Sequence, residues 1–599
     1  MFDVHARPES EDSPAPEQPL FDLLVRGVLD GFPRHGNGSR TYYPNDSQGV
    51  WHLAIAEKKD LYTFPTAPDP IAPEWPGTPI GASNTITRTK GRTAVFDKTV
   101  DGKPGLLKRL LASAYEQIAT SGQKTHSHDV VIHGLRVRAI TNSQHLIGYW
   151  KDNWYSLEEW ARLTGKKPAE TPDVLVVALG RVPTEAEAAY YSRQNDTVVF
   201  FNTSYYGQLK SWVLGAVGRK LAVDYGIHSI HGAVVTKDGQ GVLYIAPTGT
   251  GKSTSTYGLM EFPNTRFHSD DWVYVRYAYR SKDGKLLSPA RILDGGDEVA
   301  RGYQTYRWLE EHRGSDATVI GRGLDDKEIT AAANELDVEH PEAYAYTSEK
   351  VFYLRSNLVE NFPEAAFDMI RSRLENCPDV TPEFMIENKP TIDAIEAKLR
   401  RRSPFDKMDN QQLRETIGRF FAFDNTRAML DITTVFPKER VFTNPMEPAR
   451  ISAVMLIKRN FDEDVIVERL TIDKFMARLL VGRTPSGTKE IVYNNYRAVD
   501  DKSERAWIDT IEAKGVDNMW AEYLKAKNRP ETLHEEMEMF RMMFKSAAAY
   551  DLNTILQKDK AIGSKMEAVS KTMRIIVAAL DNTKDSFRYG VGDYRRLLD

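Results

Sequence analysis

The stretch GAVVTKDGQGVLYIAPTGTGKSTSTYGLM, residues 232–260, contains the pattern that decides the fold of this chain. Two apolar, β-branched runs flank the turn sequence KDGQ, which predicts two paired strands. A glycine-rich connection and a helical pattern follow the second strand. Glycines let backbone N–H groups turn toward phosphate oxygens, and the N-terminus of the next helix adds the positive end of its dipole. The stretch therefore predicts a phosphate-binding loop in an α/β protein.

Each residue type in this loop has an expected role. Gly249 and Gly251 supply the turns, Lys252 reaches the β- and γ-phosphates, and Ser253 ligates Mg²⁺. Ala246 stands where the motif usually has its first glycine, and alanine fits there if its φ stays negative. A chance match in a turn is the alternative, which the preceding strand and following helix disfavour. The nucleotide-binding residues expected here also include Thr248, Thr250 and Thr254.

An acidic pair follows in FHSDDWVYV, residues 267–275. Asp270 and Asp271 lie 18 and 19 residues after Lys252 and directly precede an apolar strand. Carboxylates at a strand end suit a divalent cation, so both are expected to hold the metal. An exposed turn with two carboxylates is the alternative.

The composition limits the classes of function. Hydrophobic residues make up 41% and charged residues 27%, with a net charge of -5, so nothing points to a nucleic-acid partner. Cys377 is the only cysteine, which excludes an intrachain disulfide and a thiolate metal cluster and is typical of a reducing compartment. No secretory signal and no long uncharged apolar run are present. We therefore expect a cytoplasmic protein without a membrane partner.

The domain organisation follows from the pattern of elements. Short β-branched runs at 173–180 and 197–204 predict buried strands, and 207–226 has helical spacing. Residues 61–80 carry six prolines and are expected to be irregular. The predicted parts are a disordered tail (1–20), an N-terminal substrate-side α/β domain (21–228) and a nucleotide-binding domain (229–599) with a helical insertion (about 300–420) and a helical C-terminal part (about 503–599).

The close spacing of loop and aspartates, with SIHGAVV (229–235) upstream, resembles the superfamily of phosphoenolpyruvate carboxykinases and HPr kinases. Other segments resemble the ATP-dependent carboxykinases and occur in that family's order along most of the chain. They are TKGRTAVFDK (89–98), LRVRAITNSQHLIGYWKDNWY (135–155), TSYYGQLKS (203–211), FDNTRAML (423–430), ISAVMLIKRNFDEDVIVERLT (451–471), LLVGRTPSGT (479–488) and GSKMEAVSKTMRIIVAALDN (563–582).

The resemblance implies a two-domain carboxykinase-like α/β fold whose C-terminal domain carries the P-loop. It implies an enzyme that converts oxaloacetate and ATP to phosphoenolpyruvate, ADP and CO₂, with Mg²⁺ and a second site suited to Mn²⁺. Among the residues that match the motifs, Arg92 would clamp the substrate carboxylate and Tyr205 would face it. Lys210 would contact the substrate or the phosphoryl group, and Arg427 would bridge the enolate oxygen and the γ-phosphate.

The same resemblance assigns residues to the metal and the adenine. His231 and Asp271 would ligate the transition metal, for which neutral imidazole and carboxylate are suitable ligands. Lys565 and Thr572 would lie near the adenine. A structural role at a strand end is the alternative for His231.

The chain departs from the family pattern at several positions near the substrate and the second metal. Ser211 replaces the second lysine of the family's tandem pair, and Gln208 replaces a glutamate. Trp272 and Val273 stand where the family has a Glu-His pair. Three functions therefore stay open: a divergent carboxykinase, a kinase that phosphorylates another small-molecule or protein acceptor, and a non-catalytic nucleotide-sensing scaffold.

Overall fold

The computed structural model describes residues 39–40, 55–56 and 94–95 and most of 105–598. The exceptions within this last range are 186–187, 194, 203–205, 247–249, 261, 348, 351, 355–381, 402, 404, 423–427, 431–435, 483–500, 516–517, 564 and 583–585. The chain divides into two compact units. Unit 1 comprises Met1–Val217 and Lys350–Val435, and unit 2 comprises Gly218–Glu349 and Phe436–Asp599.

The described strands, numbered along the chain, are β1 (Ser39–Arg40), β2 (Ile55–Ala56), β3 (Ala94–Val95), β4 (His126–Ile132), β5 (Leu135–Thr141), β6 (Val174–Leu179), β7 (Ala188–Ser192), β8 (Thr197–Phe201), β9 (His228–Ile230), β10 (Gly232–Lys237), β11 (Gln240–Ile245), β12 (Thr265–Ser269), β13 (Val273–Ser281), β14 (Leu286–Asp294), β15 (Asp297–Arg301), β16 (Thr318–Arg322), β17 (Glu328–Ala332), β18 (Leu336–Tyr346), β19 (Phe352–Leu354), β20 (Ala428–Leu430), β21 (Ala449–Lys458), β22 (Val465–Arg469), β23 (Ala548–Asn553) and β24 (Arg588–Gly590).

The described α-helices are α1 (Leu106–Thr120), α2 (Gln144–Asn153), α3 (Leu157–Thr164), α4 (Tyr206–Tyr225), α5 (Lys252–Leu259), α6 (Gln304–Glu311), α7 (Pro382–Glu387), α8 (Lys389–Leu399), α9 (Asn410–Ala422), α10 (Ile472–Leu480), α11 (Asp501–Glu512), α12 (Met519–Lys525), α13 (Glu531–Ser546) and α14 (Lys565–Leu580). None of them combines the length and apolar character needed to cross a bilayer.

Unit 1 is built on a six-stranded sheet in the order β3-β7-β8-β6-β5-β4. Strands β6 and β8 pair in parallel and are buried along their whole length. This accounts for their continuous apolar sequences, because strands covered on both faces do not alternate. Strands β19 and β20 form a separate antiparallel pair in the same unit.

Unit 2 is built on a mixed sheet of fourteen described strands. Around the predicted loop the strand order is β12-β10-β11-β21-β23-β22-β24. Strands β11, β21 and β23 run parallel to one another, whereas β10 and β12 are antiparallel to their neighbours. Helix α14 packs on α5 through Met573 and Val569, which lie against Gly258. Helices α10 to α13 form a second layer, in which α13 packs on β18.

Several expectations from the sequence are confirmed. The chain is mixed α/β, the runs at 173–180 and 197–204 form β6 and β8, and 207–226 corresponds to α4. The two strands around KDGQ form the antiparallel pair β10 and β11. The tail 1–20 and the proline-rich segment 61–80 lie outside the described residues.

Other expectations are corrected. The region 300–420 is not a helical insertion throughout, because residues 318–346 form β16, β17 and β18. The burial of β16 alternates from residue to residue, which is the period of a strand and not of a helix. The C-terminal part is also not only helical, since β23 is inserted beside β21 in the sheet. The two units divide within α4, whereas the sequence suggested a boundary near residue 228, and residues 350–435 belong to unit 1.

One glycine in unit 2 is fixed by both its backbone conformation and its surroundings. Gly302 has a φ of 58° and lies against the carboxyl end of α4. A Cβ atom at this position would overlap the carbonyl oxygen of Val223. The neighbouring amide of Tyr303 donates to the carbonyl of Ala222 at 3.0 Å, so the turn cannot move away without losing this bond.

We expect Gly302→Ala to lower the free energy of unfolding by about 3 kcal/mol, since the left-handed conformation and the backbone overlap both disfavour alanine. Gly295→Ala is the matched control, because Gly295 has a φ of 59° and no atom near its absent Cβ. The control should lose only about 1 kcal/mol. Urea unfolding of both variants measures the difference, and equal losses would show that the contact with α4 is unimportant.

Candidate functional site

The candidate site is assembled at one edge of the unit 2 sheet, where four strand ends meet. Parallel strands β11, β21 and β23 all end there, because Ile245 pairs with Leu456 and Leu456 pairs with Asp551. Antiparallel β10 begins at the same edge, since Gly232 pairs with Ile245. Ligands of α/β proteins usually bind outside the carboxyl ends of parallel strands. This edge is therefore where a ligand of unit 2 is expected.

His231 and Asp271 are brought together by matching interruptions in two neighbouring strands. His231 is the residue between β9 and β10, and Asp271 lies in the gap between β12 and β13. Strand β10 pairs with β12 and β9 pairs with β13, so the two gaps face each other. Asp271 has a φ of 86°, a conformation that aspartate adopts more readily than most residues. The imidazole Nε2 of His231 lies 2.9 Å from Asp271 Oδ1.

Lys252 joins this pair from the first position of α5. Its Nζ atom lies 3.3 Å from Asp271 Oδ1, 3.4 Å from the Asp271 carbonyl oxygen and 3.4 Å from His231 Nε2. The His231 side chain is 8% exposed and that of Lys252 11%, whereas Asp271 is 26% exposed. The His231 and Lys252 side chains are thus largely buried, and the Asp271 side chain is the most exposed of the three. The indole of Trp272 covers the imidazole at a centroid distance of 5.5 Å and donates to Ser229 Oγ at 2.6 Å.

Thr250 and Gly251, which directly precede α5, contact residues that follow β21 and β23. Thr554 Oγ1 lies 3.1 Å from the carbonyl oxygen of Thr250 and accepts a hydrogen bond from Arg459 Nε at 3.2 Å. Gly251 has a φ of 113°, which only glycine adopts without strain. A Cβ atom there would stand 3.5 Å from Arg459 Nη2. The guanidinium therefore lies directly beside the last turn before Lys252.

Two of the predicted metal ligands, His231 and Asp271, are close enough together that they could hold one divalent cation between them. Within the described part of the chain, no three His, Cys, Asp or Glu side chains converge as a complete metal site. Imidazole nitrogen and carboxylate oxygen are suitable ligands for Mn²⁺. The 2.9 Å between His231 Nε2 and Asp271 Oδ1 is close to the separation of about 3 Å between adjacent ligands of an octahedral ion. Such an ion takes its other ligands from substrate phosphates and water.

The structure places the other candidate residues as follows. Arg92, Tyr205, Arg427, Thr248 and Gly249 lie outside the described residues. Ser253 and Thr254 lie in the first turn of α5, and Thr254 is exposed. Lys565 is the first residue of α14. Lys210 is buried in the part of α4 that belongs to unit 1, with Ser211 as its neighbour in the chain.

Two candidate residues, Asp270 and Thr572, are buried in the interior of unit 2. Asp270 is fully buried, and its carboxylate lies near the hydroxyl of Tyr257 on α5. Burial, with Asp270 contributing, holds the pKa of Tyr257 well above its usual range. Thr572 is buried in α14, and its hydroxyl donates to the carbonyl of Ala568 at 2.8 Å. Asp270 thus supports the underside of α5, while Asp271 faces His231 and Lys252.

Sequence reasoning did not single out Arg459 or Thr554. Each directly follows a parallel strand, so the pairing of β21 with β11 and β23 brings both to the loop. The strand at 449–460 was predicted, but neither its neighbours nor β23 could be read from the pattern. A polar residue directly after a buried strand was the available signal.

We compared the chain with models of known protein families and with curated proteins, and neither comparison gave a match. The family resemblance therefore stays a prediction from the sequence motifs.

Two further histidines near this edge differ from His231 in their surroundings. His228 lies on β9, is fully buried and hydrogen-bonds through Nδ1 to the Tyr277 hydroxyl at 2.7 Å. Burial lowers its pKa to about 3. His268 on β12 is also buried, and burial lowers its pKa to about 3. Both are neutral core residues at neutral pH.

The buried His228 predicts a loss of stability in acid. Its folded pKa is about 3 and its unfolded value is about 6.5, so the unfolded chain takes up a proton as the pH falls between these values. Stability is thus fully present above pH 6.5 and decreases toward pH 3. We expect His228→Asn to reduce the decrease between pH 7 and 4.5 by on the order of 2 kcal/mol.

Urea unfolding at pH 7 and pH 4.5 measures this difference. His340→Asn is the control, because the His340 side chain is 82% exposed. Parallel pH profiles for wild type, His228→Asn and His340→Asn would contradict the assignment.

Proposed function

We propose that unit 2 binds a nucleoside triphosphate together with a divalent cation, and that the protein is a phosphoryl-transfer enzyme. The observation that carries this proposal is the convergence of Lys252 with His231 and Asp271 within 3.4 Å. This cluster lies at the start of α5, directly after Thr250 and Gly251, at the edge where three parallel strands end. A lysine, an imidazole and a carboxylate in this arrangement suit a terminal phosphate and its cation.

Each of these side chains has a specific task in the proposed reaction. The ammonium of Lys252 stabilises the charge that develops on the phosphate oxygens during transfer. The N-terminus of α5 directs its dipole toward the same phosphates. His231 Nε2 and Asp271 Oδ1 would hold the divalent cation, which supplies further neutralisation of phosphate charge when bound. Trp272 packs against the imidazole at a ring-centroid distance of 5.5 Å.

For the acceptor, we propose the carboxykinase reaction, supported by the order of the motifs along both units. In this reaction the carboxylate-bearing C–C bond of oxaloacetate breaks and releases CO₂, and the bonding electron pair forms an enolate. The enolate oxygen attacks the γ-phosphorus of ATP, and ADP leaves. Arg92, Tyr205 and Lys210 are the proposed carboxylate-binding residues, and Arg427 is proposed to stabilise the enolate oxygen and the γ-phosphate.

A kinase with a different acceptor is the second candidate, and Ser211 favours it. The family pattern places a lysine amine at this position, which serine cannot replace as a metal ligand. Trp272 likewise occupies a position where the family has an acidic residue. Both departures lie on the acceptor and second-metal side and leave the nucleotide features intact.

Nucleotide binding is tested by calorimetry with ATP and Mg²⁺. We expect Lys252→Ala to weaken binding by about 10- to 100-fold, because a charge-assisted hydrogen bond to phosphate is lost. Lys285→Ala is the control, since the Lys285 side chain is 66% exposed at the end of β13 and β14. The control should bind like wild type. If wild type binds neither ATP nor GTP, the proposed function is wrong.

The acceptor is tested by two reactions of the wild-type protein. A carboxykinase should form ATP from phosphoenolpyruvate, ADP and bicarbonate in the presence of Mn²⁺, and the rate should drop at least 100-fold in Lys252→Ala. A protein that binds ATP but lacks this activity, even as Ser211→Lys, is not a carboxykinase. Transfer from γ-labelled ATP to a metabolite or protein would then support the second candidate, and no transfer at all would favour a nucleotide sensor.

A further inference from the structure

Arg459 is a cationic residue at the same sheet edge, and the proposed reaction assigns it no role. It directly follows β21 and is exposed. Its Nε donates to Thr554 Oγ1 at 3.2 Å, and its Nη2 lies beside Gly251. Among the carboxylates in the described part of unit 2, none forms an ion pair with Arg459. Its guanidinium thus keeps donors available for a ligand of opposite charge.

The backbone under Arg459 is held by reciprocal hydrogen bonds. The Asn460 amide donates to Asn553 Oδ1 at 2.8 Å, and Asn553 Nδ2 donates back to the Asn460 carbonyl at 2.9 Å. Asn460 Nδ2 also donates to Glu463 Oε1 at 3.1 Å. The ends of β21 and β23 are therefore joined by hydrogen bonds at the residue that directly follows Arg459. A side chain on such a base loses less freedom when it binds a ligand.

The strand order fixes the side of β11 on which Arg459 lies. His231 and Asp271 belong to the β10 and β12 side of β11, whereas Arg459 and Thr554 belong to the β21 and β23 side. The start of β10 and the end of β21 are two strand spacings apart, which is about 10 Å. A polyphosphate with its terminal group at Lys252 would therefore direct its inner end toward Arg459.

We propose that Arg459 binds the inner, nucleoside-linked phosphate of the nucleotide, which ATP and ADP share. The planar guanidinium can form paired hydrogen bonds to phosphate oxygens. Thr554 holds the guanidinium beside Gly251, and the two cations Arg459 and Lys252 bind opposite ends of the polyphosphate. This assignment rests on the proposed nucleotide site. It makes Arg459 a determinant of affinity for substrate and product alike.

The test is calorimetry of the full chain with ATP and with ADP, each with Mg²⁺. Arg459→Gln should weaken the binding of both nucleotides by a similar factor of about ten, whereas Lys252→Ala should weaken ATP more than ADP. Arg450→Gln is the matched control, because Arg450 is an exposed arginine near the opposite end of the same strand, about 30 Å away. This control should bind both nucleotides like wild type. Arg459→Lys should be intermediate, because it keeps the charge and loses the planar fork.

The outcomes separate the two proposals. If wild type binds neither nucleotide, the proposed function fails, and this assignment fails with it. If wild type binds both and Arg459→Gln binds them equally well, only the role of Arg459 is refuted. A loss confined to ATP would place Arg459 at the terminal phosphate and also overturn the assignment. Thermal unfolding of each variant shows whether it is folded, and Arg459→Lys gives the same test if Arg459→Gln does not fold.

Discussion

The parallel pairing of β11 with β21 is the constraint on which the candidate site depends. Parallel strands end at the same edge of a sheet, and a long crossover must connect them. Here the residues between Ile245 and Ala449 form that connection, which includes part of unit 1. Gly241 allows the close approach, since a Cβ atom there would stand 2.5 Å from the carbonyl oxygen of Arg450. The register then sets which residues lie beside Thr250 and Gly251 at the start of α5.

Buried ion pairs between charged side chains join β21 and β23 near this edge of the sheet. Lys458 at the end of β21 pairs with Glu463 and, at 2.6 Å, with Asp551 on β23, and Arg478 reaches Asp551 at 2.9 Å. The Lys458 side chain is 1% exposed and that of Asp551 3%. Removing one partner of such a group leaves an uncompensated buried charge, which is strongly destabilising. The relative position of β21 and β23 is thus tied to charge pairing directly under Arg459 and Thr554.

Three histidines in unit 2 have different roles because their surroundings differ. His228 and His268 lie within strands and are enclosed by core side chains, so burial keeps them neutral. His231 lies in the gap between two strands, where its Nε2 meets Asp271 and Lys252. In this gap the His231 side chain contacts charged partners at the sheet edge instead of core side chains. The sequence HSIH contains both kinds within four residues.

The sequence by itself determined the local elements around the loop. Alternation, turn residues and glycine spacing are local properties, so they predicted β10, β11, α4 and β21 and identified Lys252 as a candidate. The acidic pair before β13 identified Asp271, and the family resemblance assigned His231. Only the tertiary structure decided which strands are neighbours. The strand pairing buries Asp270 and leaves Asp271 in contact with His231. It also places β23 beside β21 and brings Arg459 and Thr554 next to Thr250 and Gly251. The region after residue 318 forms strands in this sheet and not the predicted helices. The physical reason is that strand pairing joins residues far apart in the chain through backbone hydrogen bonds, and these leave no periodic signal in the side-chain sequence.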